Sequence, residues 1–224
     1  QRVMERTKEI CLTQETTIDA LAYLAEYRDP ETGGHIQRTK QYMKLLAEKL
    51  KELPKFQGEL TELVIGMLYK LAPLHDIGKI GVRDEILLKK GKLTTDEFEE
   101  MKTHTIIGHN ALMMASKRLG NNSFLKYAME LTRSHQEKWD GSGYPDGLAG
   151  EEIPLSGRIM ALADVYDALI SKRSYKSPFS HQQAVEIILE GKGKHFDPDI
   201  VDAFMEIKDQ IHQVALEYLD YDKK

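Results

Sequence analysis

At 224 residues, 41% hydrophobic and 30% charged, the chain is long enough to bury a sizeable core as one large domain or two small ones. A net charge of −5 argues against a general binder of polymeric nucleic acid, so any anionic substrate would need a local cluster of cations. No apolar run approaches the roughly 20 residues of a membrane span, no secretory pattern is read at the start, and one cysteine, Cys11, makes no internal disulfide; a cytoplasmic location is expected.

Residues 1 to about 28 read as one helix, with Val3, Ile10, Thr17, Leu21 and Leu24 at near-heptad spacing among Glu, Lys, Gln and Thr. That pattern suits a linker or dimerising helix, and equally a helix packed on its own domain. The first residue is not Met and helix-like sequence begins at once, as expected of a piece cut from a longer protein. Arg28-Asp29-Pro30-Glu31-Thr32-Gly33-Gly34-His35 is a Pro- and Gly-rich break, separating this helix from a domain over 29–224. A helix then runs from Ile36 to Leu50, closed by Pro54, and another is expected from about Gly58 to His75. Residues 80 to 93 read as a loop or short helix. Thr94-Thr95-Asp96-Glu97 is a capping box that opens the next helix, and one more helix runs from about Ser123 to Gln136. Asp140-Gly141-Ser142-Gly143-Tyr144-Pro145-Asp146-Gly147 is no helix, because its glycines permit conformations and close approaches that other residues resist. Helices resume over Ser156 to Ser171, after the capping pair Ser180 and Gln183, and from Asp197-Pro198 onward. No stretch alternates with period two over strand length, so the expected class is all-α, a helical bundle with one irregular loop.

Seven side chains stand out as candidate metal ligands: Glu31, His35, His75, Asp76, His104, His135 and Asp164. Imidazoles mixed with carboxylates suit zinc, iron, manganese or nickel better than magnesium or calcium. His75-Asp76 follows the apolar segment Leu63-Val64-Ile65-Gly66-Met67-Leu68, so the pair is expected deep in the chain. Each residue also has a plainer explanation. His75-Asp76 can end a helix, Glu31 can favour the start of the next, and a lone His104 can be a half-buried histidine. Asp164 and Asp167, three apart, either form a solvated face or lie buried among Ala161, Leu162, Ala163 and Val165. His109, His181, His195 and His212 have no matching context and are read as structural. Spacing alone leaves both kinds of reading open.

Longer motifs add a resemblance. His75-Asp76 with Lys79, then His135-Gln136-Glu137-Lys138-Trp139-Asp140-Gly141-Ser142-Gly143-Tyr144-Pro145, closely resembles the HD-GYP family. The match continues through Gly147-Leu148, Ile153-Pro154, Arg158-Ile159 and Ala163-Asp164-Val165-Tyr166-Asp167-Ala168-Leu169, covering about residues 28 to 205. The family is the branch of the HD phosphohydrolases that hydrolyses cyclic di-GMP, and an output domain of a response regulator is the setting it implies. By that similarity His35, His75, Asp76, His104, His135 and Asp164 would hold two divalent ions, with Asp76 bridging them. Glu31, four residues before His35, matches a ligand of a third ion in some members. Iron or manganese is the first expectation, nickel or zinc the alternative. Lys79 would face a substrate phosphate, and Arg173 and Lys176 match positions that grip phosphates or guanine. One departure stands out: where the family pattern has a second histidine, this chain has Gln136. A carboxamide oxygen is a weaker ligand than imidazole for a transition metal.

The expected activity is therefore metal-dependent hydrolysis of cyclic di-GMP to linear pGpG, and on to GMP if a second bond is cut. A hydroxide bridging the two ions would attack phosphorus in line with the 3′ oxygen, with Asp76 and His75 in the centre and Lys79 stabilising the phosphoryl charge. Gln136 motivates an alternative of another class: a catalytically weak binding domain that modulates a partner such as a GGDEF-type diguanylate cyclase. A third reading keeps the enzyme and changes the substrate to cyclic GMP-AMP. The first helix would then link to an upstream receiver or sensor domain, or pair with its copy in a homodimer.

Overall fold

The computed structural model describes residues 2–27, 34–120, 122–171 and 177–219. In chain order the helices are α1 (Arg2–Glu26), α2 (His35–Leu50), α3 (Glu62–Leu71), α4 (Asp84–Leu87), α5 (Thr95–Leu119), α6 (Ser123–Ser134), α7 (Leu155–Ile170), α8 (His181–Glu190) and α9 (Pro198–Leu219). Short 3-10 turns over Ala72–Leu74 and Ile77–Gly81 link α3 to α4. Among the described residues there is no strand, only the isolated bridges Asp140–Ala149 and Lys192–Phe196. The chain is all-α, and among the described residues no helix is long and apolar enough to cross a membrane.

The helix starts follow the sequence closely because side chains take up orphaned backbone N–H groups. Thr94 and Glu97 form the reciprocal capping box at α5, Ser180 and Gln183 form another at α8, and Asn122 accepts from the N–H groups of Phe124 and Leu125. The helix expected from Gly58 to His75 is shorter at both ends. Thr61 caps it by accepting from the Val64 N–H, and the ring of Pro73, which has no N–H to give, turns the chain into a 3-10 turn after Leu71. That early stop matters for function. His75 and Asp76 lie between two tight turns rather than along a helix, so consecutive side chains leave the backbone in directions a straight helix would not give them.

The main core is built on α2, α7 and α9. Tyr42, Met43, Leu46 and Leu50 of α2 pack with Ile159, Leu162 and Tyr166 of α7 and with Ile200, Phe204 and Ile211 of α9. A smaller cluster gathers Ile18 of α1 with Leu71, Leu74 and Ala128. Only the second half of α1 enters the packed body, through Ile18, Ala22 and Ala25, whereas Val3, Ile10 and Leu24 are largely exposed.

The second 3-10 turn crosses α5 at glycines. A Cβ on Gly78 would strike the carbonyl oxygen of His104, and the Gly108 N–H lies close beside it. This contact sets Asp76 near His104 and tolerates no side chain. Gly78→Ala should therefore lower stability by about 2 kcal/mol through overpacking, read as a lower midpoint in urea unfolding with an unchanged slope.

Candidate metal centre

His35 opens α2, His75 and Asp76 occupy the break between turns, His104 sits in α5, His135 caps the end of α6, and Asp164 faces inward from α7. Each histidine has one ring nitrogen fixed by an acceptor. Nδ1 of His75 lies 2.8 Å from the Ala72 carbonyl, Nδ1 of His104 lies 2.7 Å from that of Met101, and Nδ1 of His135 lies 3.1 Å from that of Thr132. Nδ1 of His35 lies 2.8 Å from the Asp167 carboxylate. Carbonyls and carboxylates only accept, so these nitrogens carry the protons. The neutral rings then present bare lone pairs at Nε2, and all four point into one small volume.

Two carboxylates meet them there. Asp76 places Oδ1 3.3 Å from His104 Nε2 and 3.5 Å from His135 Nε2, and its Oδ2 3.3 Å from His75 Nε2. His35 Nε2 stands 4.0 Å from Asp164 Oδ1. The donors divide into two groups, His35/His75/Asp164 and Asp76/His104/His135, each with ligand atoms within 4.8 Å of one another. The two oxygens of Asp76 thus face different groups.

So many acceptors cannot satisfy each other. His104 and His135 bring their Nε2 atoms to 3.3 Å, and His75 Nε2 and Asp76 Oδ1 are buried with no hydrogen-bond partner. Burial pushes His104 down to about 4, which keeps it neutral and ready to donate its lone pair. Burial would lower His75 too, but the Asp76 carboxylate overrides it and raises the ring, so in the absence of an ion this ring takes up a proton more readily than an ordinary histidine. Burial opposes ionisation of Asp76, yet the charge of Lys79, joined by that of His75 whenever its ring is protonated, holds it well below the usual carboxylate range. Buried polar atoms left this way cost free energy, and a divalent ion in each group removes the cost. The donor set fits a divalent transition metal.

A family profile described as HD domain matches residues 19–200. This chain belongs to the HD domain family. It is 53% identical over 212 residues to a cyclic di-GMP phosphodiesterase of Vibrio cholerae, covering 95% of this chain and 43% of that protein. A cyclic di-GMP phosphodiesterase of Thermotoga maritima is 39% identical over 225 residues, covering 98% of this chain and 58% of its own length. A 3′3′-cGAMP-specific phosphodiesterase 2 of V. cholerae is 41% identical over 198 residues, with 88% of this chain and 35% of that protein covered. The chain spans about half the length of the curated relatives it matches. Among solved structures, a cyclic GMP-AMP specific phosphodiesterase of V. cholerae superposes with a TM-score of 0.60 at 19% identity, over 94% of this chain and 52% of that one, which speaks for the fold.

Beside these two donor groups of the HD domain opens a cavity of about 290 Å³ lined by Asp76, Lys79, Gln136, Asp164, Val165, Ala168 and Leu169. Lys79 reaches into it with Nζ 2.9 Å from Asp76 Oδ2. Gln136 stands on the wall, next to His135. Glu31, Arg173 and Lys176, three of the residues expected at the site, lie outside the described residues. His181, left as structural by its sequence context, bonds the Tyr166 hydroxyl at 2.8 Å and stacks on His212.

Three residues around the site were not among the ligand candidates, although the sequence already offered Asp167, with Asp164, as buried or solvated. Asp167 is fully buried, and besides His35 it binds Arg38, whose Nε donates to Oδ1 at 2.7 Å and Nη2 to Oδ2 at 3.0 Å. The available signal was position: Arg38 follows His35 by three, and Asp167 follows Asp164 by three, one helical turn in each case. The third is Glu137, whose carboxylate accepts the backbone N–H groups of Asp146, Gly147 and Leu148 at 2.7, 3.2 and 3.1 Å. It folds the Gly-Tyr-Pro loop back on itself, helped by Arg133, which grips Asp146 through two bonds of 2.7 Å; the Tyr144–Pro145 bond within the loop is cis. The loop's Tyr144 ring then comes to 6.3 Å from His104 and walls that side of the site. Glu137→Ala would leave three N–H groups without their acceptor. It should cost about 2 kcal/mol or more, and limited proteolysis should cut faster between residues 140 and 147.

Proposed function

We propose that this chain is a metal-dependent phosphodiesterase that opens cyclic di-GMP to linear pGpG, with GMP as the product of a second cut. One observation carries the reading: four Nδ1-anchored imidazoles and two carboxylates converge beside a cavity that holds a lysine. Relatives named as cyclic di-GMP phosphodiesterases support the substrate class. When bound, a pair of divalent cations supplies Lewis acidity at the phosphoryl oxygens and lowers the pKa of the attacking water.

The side chains supply the rest. His35, His75 and Asp164 would hold one ion and His104 and His135 the other, with Asp76 available to both because its oxygens face separate groups. Iron or manganese fits the imidazole-rich shell first, with nickel or zinc as alternatives, and Glu31 is the candidate for a third ion. Lys79, tethered to Asp76, is aimed so that its ammonium meets the phosphoryl charge as it builds. Arg173 and Lys176, by the family resemblance, would grip phosphates or guanine. A cytoplasmic setting downstream of a receiver or sensor domain, with residues 1–28 as linker or homodimer contact, belongs to the same reading.

Gln136 on the cavity wall favours a second reading, a weakly catalytic domain that binds a cyclic dinucleotide and modulates a GGDEF-type cyclase. The test is to load purified chain anaerobically with Mn²⁺ or Fe²⁺ and follow cyclic di-GMP by chromatography. Conversion to pGpG that disappears with chelator supports the enzyme, and parallel competition with 3′3′-cGAMP ranks the two substrates. Intact cyclic di-GMP in the presence of a fully loaded chain that binds it would overturn the catalytic reading in favour of the second.

A further inference from the structure

The C-terminal end of α1 lies against the centre. Glu26, its last residue, places Oε1 3.9 Å from His35 Nε2, and its side chain is only 11% exposed. It stands on the His35 flank of the His35/His75/Asp164 group, just outside the cluster of three. With Asp76 spanning both ions, this one would have His35, His75, Asp164 and Asp76 as protein donors, and the octahedral shell of an ion such as manganese still has room for more. A largely buried carboxylate beside that open shell is a donor within a small side-chain movement, since glutamate has three torsions to adjust.

The same helix is clamped a second time. Lys40 of α2 is buried, and its Nζ bonds Asp19 at 3.0 Å and Glu15 at 3.3 Å while lying 4.7 Å from the centre of the Tyr69 ring. From Asp19 to Glu26 is about two turns, or roughly 10 Å. α1 therefore meets the body through its apolar side, through a buried ammonium, and through a carboxylate at an ion site.

We propose that Glu26 is a ligand of the ion held by His35, His75 and Asp164, so that loading this ion fastens α1 to the rest of the domain. The inference rests on the metal-centre reading above. The coupling runs both ways: whatever docks α1 more firmly tightens the ion by the same factor, and whatever draws the helix away loosens it. The exposed first half of α1, with Val3 and Ile10 outside the core, is the lever through which such a pull would act.

Titration with Mn²⁺, counting bound ions by electron paramagnetic resonance, tests this directly in wild type, Glu26→Gln and Glu31→Gln, alongside hydrogen exchange of amides 18–26. Wild type should bind a tight pair of ions, and Mn²⁺ should slow exchange along that stretch of α1. Glu26→Gln should keep the Asp76/His104/His135 ion, bind the other about tenfold or more weakly, and lose the Mn²⁺-dependent slowing. A second variant guards against misfolding: Asp164→Asn removes another ligand of the same ion and should abolish the slowing with Glu26 intact. The proposal is overturned if Glu26→Gln loads and slows like wild type, or if the loss appears in Glu31→Gln alone. Failure of wild type to bind Mn²⁺ at all would instead overturn the metal-centre reading itself.

Discussion

Asp76→Asn should abolish hydrolysis of cyclic di-GMP while leaving a folded chain. The substitution keeps size but removes the charge on which both donor groups depend. Oδ1 serves His104 and His135, and Oδ2 serves His75 and Lys79. Without it the two groups lose the carboxylate between them, and Lys79 loses the partner that holds its ammonium over the cavity. Lewis-acid stabilisation worth several kcal/mol corresponds to a fall in turnover of about a thousandfold or more. Metal analysis should show ions lost from both groups. A variant that retains the full complement of ions and half its activity would rule out a bridging role. Folding should survive, because asparagine matches aspartate in size and shape and so leaves neither a cavity nor a clash.

Asp167→Asn should have the largest effect on stability. Arg38 is completely buried, and Asp167 supplies two of its bonds, with the Ser171 hydroxyl taking another at 2.9 Å. Removing the charge takes from a buried guanidinium the carboxylate that offsets it, which costs about 3–5 kcal/mol. The acid response follows with a definite sign. Burial works against ionisation of Asp167, but hydrogen bonds from His35 and Arg38 prevail and hold it down at about 2, against an ordinary 3.8. A carboxyl depressed in the folded state contributes stability that is complete above its unfolded pKa and drains away as pH falls through the folded one. For the metal-free chain, wild type should lose stability between about pH 4 and pH 2, and the asparagine variant should be flatter across that window. Urea unfolding at several pH values measures both effects. The variant should also bind the ion at His35 about ten to a hundred times more weakly, since the ring loses its orienting partner.

Much of the architecture was legible because capping and periodicity are local. Thr94 with Glu97, and Ser180 with Gln183, announce helix starts by chemistry that needs no distant partner. The end of α3 was harder, because the apolar pattern runs smoothly past Pro73 into His75, and only the proline's geometry says that the helix has stopped. The ligand candidates were legible as residue types, and the motif around Gly143-Tyr144-Pro145 supplied their context. Their division into two groups was not, since it depends on how α2, α5, α6 and α7 bring together residues as far apart in the chain as His35 and Asp164. Arg38, Asp167 and Glu137 escaped for a related reason. A buried charge is meaningful only through its partner, and those partners lie across the fold or in backbone N–H groups that carry no sequence signal.

The anchors of the four imidazoles differ in kind, and this divides the centre into a hard-wired part and an adjustable part. His75, His104 and His135 each lean on a peptide carbonyl three residues earlier in their own turn. Those orientations are written into the local backbone, and no substitution of a neighbouring side chain can erase them. His35 alone takes its bearing from a side chain, Asp167, borrowed from another helix and shared with Arg38. Variation among such domains in metal preference or responsiveness should accordingly accumulate around His35, while the Asp76/His104/His135 half stays fixed.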